Sequence, residues 1–381
     1  MTDMAAEGAV APGFEAVAAE FSRLLAADRE AGGQFCGYAH GHLVADLWGG
    51  ADVGPDDLRG VFSSTKGAAA VSIGLLVQRG ALDLDAPVSR YWPQFAEGGK
   101  GGVTVRVALS HQAGLCGLEP RLSFEQLIDH DQVAARLAAQ VPHWRPGAAH
   151  GYHAFTIGTI MDELVRRIAG LPVADFFRAE IGEPRGVDVH IRTLDADEPR
   201  VRLLRPDEPP PGRPSQPDEP PLPAPDSLPG MTFFLAAQLP PGPLPNLRAF
   251  RACGQPAAAG TASARGLARL YAMCISAVDG FPRLLTEATV AQLAQIQAVG
   301  HDLVLRVPTR FAIVFQKADD RLPFGSHQAF GHDGAGGSIG VADPWHDLAY
   351  AWIPRRMPQP AGADPRGLDL ARVLRECLPA R

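Results

Sequence analysis

Hydrophobic residues recur at helical spacing over several stretches of the chain. From residue 14 to about residue 31, apolar side chains fall three or four positions apart, and Gly32 and Gly33 then provide a stop signal. The same spacing predicts four further helices, at residues 65–79, 156–168, 260–278 and 366–378. Thr261 and Ser263 are both candidate N-caps for the third of these four helices.

Strand-like runs lie on either side of this helical middle. Residues 34–50 ("QFCGYAHGHLVADLWGG") predict a hairpin around a His/Gly turn. Three further strands are predicted near the C-terminus, in "RFAIVFQ" (310–316), "GGSIGVAD" (336–343) and "DLAYAWIP" (347–354). The pattern therefore predicts one sheet built from both ends of the chain, with a long and mostly helical insertion between them.

A proline-saturated segment follows the helical middle, between residues 205 and 245. Proline lacks a backbone donor and cannot continue a helix or a strand ladder, so we expect neither element there. We interpret the segment as a long surface excursion or lid-like loop within the domain.

Composition narrows the possible partners. With 381 residues, 46% of them hydrophobic, the chain can bury a large core. Its net charge of −7 and its lack of a basic run argue against binding to nucleic acid or to an anionic membrane. The five cysteines are widely spaced and form no metal-binding pattern, and we expect no metal or other cofactor. No signal peptide or membrane span is recognisable, so a cytoplasmic location is predicted.

The stretch "VFSSTKG" (61–67) carries candidate chemistry. Residues three apart share a helix face, so Lys66 can reach Ser63 but not Ser64. A buried lysine with a lowered pKa can take the proton of a serine hydroxyl and make it a nucleophile. The alternative is a helix start with Ser63 as N-cap and a solvated Lys66. With 13 serines and three lysines in the chain, this spacing arises by chance with a probability of roughly 0.1.

A second serine lies in a competing motif. Gly336 to Gly340 match G-x-S-x-G, the nucleophile elbow of α/β-hydrolases, around Ser338. That fold requires an acid and then a histidine further along, but His346 follows too closely after Asp343. We therefore interpret Ser338 as a small residue on a strand.

The order of segments along the whole chain resembles the serine β-lactamase and penicillin-binding-protein superfamily, whose signature includes S-x-x-K. The chain is most similar to the family VIII carboxylesterases, which resemble class C β-lactamases; the lovastatin-type acyltransferase belongs to the same branch. The resemblance rests on "VADLWGG" (44–50), "VFSSTKG" (61–67), "GALDLDAPVSRYWPQF" (80–95), "VTVRVALSHQAGL" (103–115), "WRPGAAHGYHAFTIG" (144–158), "GTASARGLARLY" (260–271), "VPTRFAI" (307–313) and "FGHDGAGGSIGVADP" (330–344).

This resemblance implies an α+β fold of the β-lactamase/transpeptidase-like type, with an antiparallel sheet flanked by N- and C-terminal helices plus a mostly helical lobe. The chain would be a single domain, with an α/β lobe from about 12–60 and 255–381 and a helical lobe from about 61–254. Ser63 would be the acylated nucleophile, and Lys66 and Tyr152 its proton-transfer partners. The N–H groups of Ser63 and Ala335 would form the oxyanion hole.

The resemblance also implies the substrate-binding positions. His332, Asp333 and Gly334 occupy the position of the family's third motif, which is usually Lys-Thr-Gly in β-lactamases, and His332 and Gly334 would line the cleft. His153 and Trp144 are further candidate contacts with the substrate. Two departures from β-lactamases bear on the substrate. The second motif of β-lactamases is Tyr-x-Asn, whereas this chain has Tyr152-His153-Ala154, so Ala154 replaces the asparagine whose amide binds a β-lactam. In the third motif, His332 replaces the lysine that pairs with the carboxylate of the antibiotic. Both departures favour an ester or thioester substrate that lacks a carboxylate.

Several functions remain open on the sequence. The leading hypothesis is a serine carboxylesterase acting on a small-molecule ester through an acyl-enzyme. The alternative is an acyltransferase that passes the acyl group to an alcohol or amine, with the proline-rich excursion as a surface for an acceptor or carrier protein. Weak β-lactamase or D-peptidase activity, and a non-enzymatic binding module with an idle cleft, are the remaining hypotheses.

Overall fold

The computed structural model describes residues 6–28, 31–206, 223–236 and 242–379. Twelve strands lie within these ranges: β1 (Glu7–Val10), β2 (Gly33–Ala39), β3 (His42–Gly49), β4 (Arg59–Gly60), β5 (Val189–His190), β6 (Thr261–Ala262), β7 (Ala298–His301), β8 (Pro308–Phe311), β9 (Gln316–Lys317), β10 (Phe330–Asp333), β11 (Ile339–Asp343) and β12 (Leu348–Pro354). Nine of them form one sheet in the order β1-β3-β2-β12-β11-β10-β9-β8-β7, and β4-β6-β5 form a small second sheet.

The same ranges contain thirteen α-helices: α1 (Glu15–Ala27), α2 (Thr65–Gln78), α3 (Val105–Ala108), α4 (Phe124–Leu127), α5 (His130–Ala139), α6 (Thr156–Ala169), α7 (Val173–Phe177), α8 (Glu183–Arg185), α9 (Leu228–Phe233), α10 (Arg248–Cys253), α11 (Ala264–Ile275), α12 (Glu287–Ala294) and α13 (Pro365–Glu376). All five helices predicted from hydrophobic spacing are present. Ser263 rather than Thr261 caps α11, since its Oγ accepts the Gly266 N–H at 3.1 Å.

The two ends of the chain meet in the middle of the large sheet. Strand β12 pairs with β2 over seven residues, and every strand ladder in both sheets is antiparallel. The predicted α+β class and the sheet built from both ends are therefore confirmed. The predicted division into two lobes with their boundaries stays a prediction.

Helices cover both faces of this sheet. Helices α1 and α13 contact each other and pack on one face, and α11 packs on the other. Two glycines allow this close packing. A Cβ on Gly37 would come within 2.8 Å of Leu374 on α13, and a Cβ on Gly340 within 2.5 Å of Tyr271 on α11. The helix α2 and the strand β10 lie together on the α11 side, where the candidate site is built.

Two sequence expectations are wrong in detail. "RFAIVFQ" is not one strand, because β8 ends at Phe311 and Val314 has a φ of +65°, so the chain turns before β9 begins. The proline-rich segment does hold a helix, α9, since Pro229 lies in its first turn, where a missing N–H costs nothing, and Ser227 caps it. Residues 207–222 and 237–241 of that segment lie outside the described residues.

Within the described ranges, none of the helices combines the length and the apolar character that crossing a bilayer requires. The cytoplasmic location stays a prediction.

Candidate active site

Ser63 lies in a 3-10 turn, Phe62–Ser64, that runs directly into α2. The preceding residue, Phe62, has a φ of +44°, a left-handed conformation that costs energy for a residue with a side chain. Thr65 Oγ1 donates to Phe62 O at 2.5 Å and helps to hold this turn. Because the first N–H groups of a helix lack intrahelical acceptors, the Ser63 N–H is suited to bind an anionic oxygen.

Lys66 lies one turn further along, fully buried, with its amine against Ser63. Its Nζ is 3.0 Å from Ser63 Oγ, and it donates to the carbonyl oxygens of Ala154 (2.8 Å) and Ala257 (2.9 Å). Burial lowers the pKa of Lys66 well below its usual value, although the charge of Asp333 acts in the opposite direction. A neutral amine has two N–H donors and one lone pair. The two carbonyls use both donors, which leaves the lone pair for the Ser63 hydroxyl proton.

Tyr152 reaches the same oxygen from the other side. Its hydroxyl donates to Ser63 Oγ at 2.8 Å, and its ring lies 5.0 Å from Lys66 Nζ. Burial raises the pKa of Tyr152, so the phenol stays protonated at neutral pH and serves as a proton donor. Asp302 fixes the tyrosine's backbone, since its Oδ1 accepts the Tyr152 N–H at 3.1 Å.

The structure therefore brings the three predicted groups together on one atom. Ser63 Oγ lies between an amine whose pKa is lowered by burial and a phenol whose pKa is raised by burial. In this arrangement Lys66 can accept the serine proton, and Tyr152 can donate a proton to a leaving group.

Ser338 connects the third motif to residues 61–64, the turn that carries Ser63 (the nucleophile turn). Its hydroxyl donates to Val61 O at 2.8 Å and lies 2.9 Å from Ser64 Oγ. Gly334 lies just beyond β10, which ends at Asp333, and is buried against the turn that carries Ser63; its role in lining the cleft stays a prediction. A Cβ there would lie 2.2 Å from Val61 O and 2.6 Å from Ser338 Oγ.

Ala335 follows in the turn between β10 and β11 and is exposed, while Gly334, Gly336 and Gly337 beside it are buried. Two backbone hydrogen bonds close this turn, from Gly334 N to Ser338 O and from Gly337 N to Gly334 O, both at 2.8 Å. Since Gly334 and Ser338 both contact Val61, the turn that carries Ala335 is anchored two residues before the nucleophile. This packing is compatible with the predicted oxyanion hole, which stays a prediction.

His332 is fully buried on β10, with its ring centroid 6.0 Å from that of Tyr152. Its Nδ1 lies 2.7 Å from Asp333 O, and because a carbonyl only accepts, Nδ1 carries the proton. Its Nε2 is then a lone-pair acceptor, without a partner among the described residues. Burial lowers the pKa of His332 well below its usual value, and any positive charge on the Lys66 amine lowers it further, so the imidazole is neutral.

His153 and Trp144 occupy structural positions. Both ring nitrogens of the fully buried His153 are bound by backbone groups: Nε2 accepts the Leu115 N–H at 2.9 Å, and Nδ1 donates to Gly151 O at 2.6 Å. The half-buried Trp144 packs its ring edge-on against His153, with 5.8 Å between centroids. Their predicted role as substrate contacts finds no support in these positions, because both hold the segment that leads to Tyr152.

His111 also holds the Tyr152 segment in place. Its Nδ1 accepts the His153 N–H at 3.0 Å, and its ring centroid lies 5.1 Å from that of Tyr152. Sequence reasoning missed Asp302 and the carbonyls of Ala154 and Ala257. The carbonyls carry no residue-type signal, and Asp302 is 150 positions from Tyr152 in the chain.

Comparisons with known proteins place the chain in a family. The model of the family described as "Beta-lactamase" matches residues 17–373. Among curated proteins, the chain is 34% identical over 368 residues to "Esterase/beta-lactamase LipL" of Mycobacterium tuberculosis (strain ATCC 25618 / H37Rv), covering 93% of this chain and 83% of that protein.

Solved structures give the same result. The structure of EstA from Arthrobacter nitroguajacolicus Rue61a superposes with a TM-score of 0.89 at 39% identity and covers 97% of each chain. A crystal structure described as a family VIII carboxylesterase gives a TM-score of 0.87 at 32% identity, over 98% of this chain and 100% of that one. The expected β-lactamase/transpeptidase-like fold is thereby confirmed.

Proposed function

Because this chain belongs to the beta-lactamase family, we propose that it is a serine carboxylesterase that works through an acyl-enzyme on Ser63. The observation that carries the proposal is the placement of one serine oxygen between two proton-transfer groups. Ser63 Oγ lies 3.0 Å from Lys66 Nζ and 2.8 Å from Tyr152 Oη. The relative named "Esterase/beta-lactamase LipL" and the solved structure described as a family VIII carboxylesterase support the same reaction class.

In the acylation step, Lys66 takes the Ser63 proton as Oγ attacks the ester carbonyl. The N–H groups of Ser63 and Ala335 hold the negative oxygen of the tetrahedral intermediate. The C–O bond to the alcohol then breaks, and Tyr152 donates its proton to the leaving oxygen, so that an alcohol departs. The proton on Lys66 restores the phenol. Water attacks the acyl-enzyme by the same steps in reverse, and releases the acid and the free serine.

The neutral His332 supports an ester without a carboxylate as the substrate. In the resemblance to β-lactamases, this position holds a lysine that pairs with the carboxylate of the antibiotic. Here the residue presents the lone pair of Nε2, which repels a carboxylate and accepts a hydrogen bond from a hydroxyl or amine. We expect β-lactam hydrolysis to be slow beside ester hydrolysis.

Hydrolysis of short-chain p-nitrophenyl esters tests the proposal. The wild type should show turnover, Ser63→Ala should show none, and Ser72→Ala should match the wild type. Ser72 is the control because it lies nearby in the chain, on α2, and is buried. Its hydroxyl is bonded only to Ala68 O, at 3.4 Å, among the described groups. Equal activity of Ser63→Ala and the wild type would refute the proposal.

The acyltransferase alternative stays a prediction. Most of the proline-rich segment that suggested an acceptor surface lies outside the described residues. An acyl-Ser63 that persists in water and clears on addition of an alcohol or amine would favour transfer over hydrolysis.

A further inference from the structure

The side chain of Gln255 ties together the two backbone segments that hold the amine of Lys66. Its Nε2 donates to Phe155 O at 2.8 Å, and its Oε1 accepts the Ala257 N–H at 2.7 Å. These two contacts are next to the carbonyls of Ala154 and Ala257, which accept the N–H groups of Lys66. One amide thus spans the gap between the Tyr152 segment and the loop that follows α10.

A missing side chain on α6 allows this arrangement. A Cβ on Gly158 would lie 2.8 Å from Ala257 N, 2.9 Å from Ala257 Cβ and 3.1 Å from Gln255 Nε2. The loop that carries Ala257 is therefore seated directly on the backbone of α6. A methyl group at residue 158 would clash with this loop and crowd the amide of Gln255, while residue 255 itself stays a glutamine.

We propose that Gln255 is a positioning residue for the general base, because it sets the spacing of the two carbonyls that direct the lone pair of Lys66 toward Ser63. The inference rests on the proposed acyl-enzyme function. If the segments separate, one N–H of Lys66 loses its acceptor and the amine is free to rotate. Water then reaches the amine, and the burial that favours its neutral form is reduced.

A change in the pKa of Lys66 can be assigned to geometry if the variant leaves the charges around its amine unchanged. The titratable groups that interact with its amine are Asp333, Tyr152, His111 and His332. Gln255 is uncharged, so its replacement by methionine changes no charge near the amine. Any change in the pKa of Lys66 in that variant comes from geometry and solvent access.

The test compares Gln255→Met and Gly158→Ala with the control Gln34→Met. Gln34 is also a backbone clamp, donating to Gly54 O (2.6 Å) and Asp57 O (3.1 Å) and accepting the Ala264 N–H (2.9 Å), and it has no contact with Lys66. The readouts are the pH profile of kcat/KM for p-nitrophenyl acetate and the urea midpoint of each variant.

We expect the acidic limb of the kcat/KM profile to move to higher pH by about one unit in Gln255→Met and in Gly158→Ala. At pH values below the limb, kcat/KM then falls about tenfold, and above the limb it returns to the wild-type value. Gln34→Met should lose stability with an unmoved limb. A limb in Gln255→Met that coincides with the wild type, or that moves equally in Gln34→Met, would overturn the positioning role. The proposed function is tested separately, by whether Ser63→Ala abolishes the turnover seen in the wild type. The acyl-enzyme function and the positioning role of Gln255 can therefore fail independently.

Discussion

Replacing Tyr152 by phenylalanine should separate activity from stability. The change removes only the hydroxyl that donates to Ser63 Oγ at 2.8 Å, and leaves the ring in its contacts with His111 and Phe311. Loss of a proton-transfer group lowers the rate by about 10²–10⁴-fold, or about 3–5 kcal/mol of barrier. Loss of one hydrogen bond lowers the free energy of unfolding by only about 0.5–1.5 kcal/mol.

Tyr350→Phe is the matched control for this experiment. Tyr350 is buried on β12, and its hydroxyl donates to Phe324 O at 2.8 Å, so the variant loses the same kind of bond away from Ser63. Steady-state hydrolysis of p-nitrophenyl acetate and urea denaturation give the two quantities. A loss of kcat/KM below about tenfold in Tyr152→Phe, or an equal loss in Tyr350→Phe, would refute the role of the phenol.

Three further outcomes are expected. Asp302→Ala leaves three backbone N–H groups without their carboxylate acceptor, so urea denaturation should show a loss of about 3 kcal/mol or more, and a loss below about 1 kcal/mol would contradict this. Gly334→Ala puts a Cβ 2.2 Å from a carbonyl of the nucleophile turn and should lower kcat/KM at least about tenfold, whereas Gly102→Ala, with open space around it, should not. For His130, burial alone lowers the pKa, but hydrogen bonds to two carboxylates outweigh it and raise the pKa from 6.5 to about 9. The stabilisation from protonated His130, about 3 kcal/mol, is therefore complete below pH 6.5 and lost as pH rises through 9. The urea midpoint of the wild type should fall over this range, and His130→Gln should remove that fall. An unchanged pH dependence in His130→Gln would contradict the assignment.

Local periodicity was enough to predict part of the site. The three-residue spacing of Ser63 and Lys66 placed both on one face of a helix, and the structure has their polar atoms 3.0 Å apart. Tyr152 could be predicted only from the resemblance to a known family, because nothing in its own segment indicates that it meets Ser63. Of the other predicted residues, His332 is beside Tyr152, and Gly334 packs against the turn that carries Ser63.

The groups that tune the site could not be predicted from the sequence. Burial lowers the pKa of Lys66, and its amine is oriented by two carbonyl oxygens, at Ala154 and Ala257, that are 88 and 191 residues away along the chain. Asp302 and Ser338 likewise act across long separations, Asp302 through its hydrogen bond to the Tyr152 N–H and Ser338 through its contacts with Val61 and Ser64. Such contacts depend on how α2, α6 and β10 pack together, and a hydrophobic pattern within one segment does not determine that packing.

The position of the acyl group during turnover tests the central claim most directly. Wild-type protein mixed with p-nitrophenyl acetate, quenched in acid and digested should carry one acetyl group on the peptide that contains Ser63. The acyl group should be absent from Ser63→Ala, in which Ser64 is still present. An acyl group found on Ser64 or on another residue, or ester turnover by Ser63→Ala, would contradict the account.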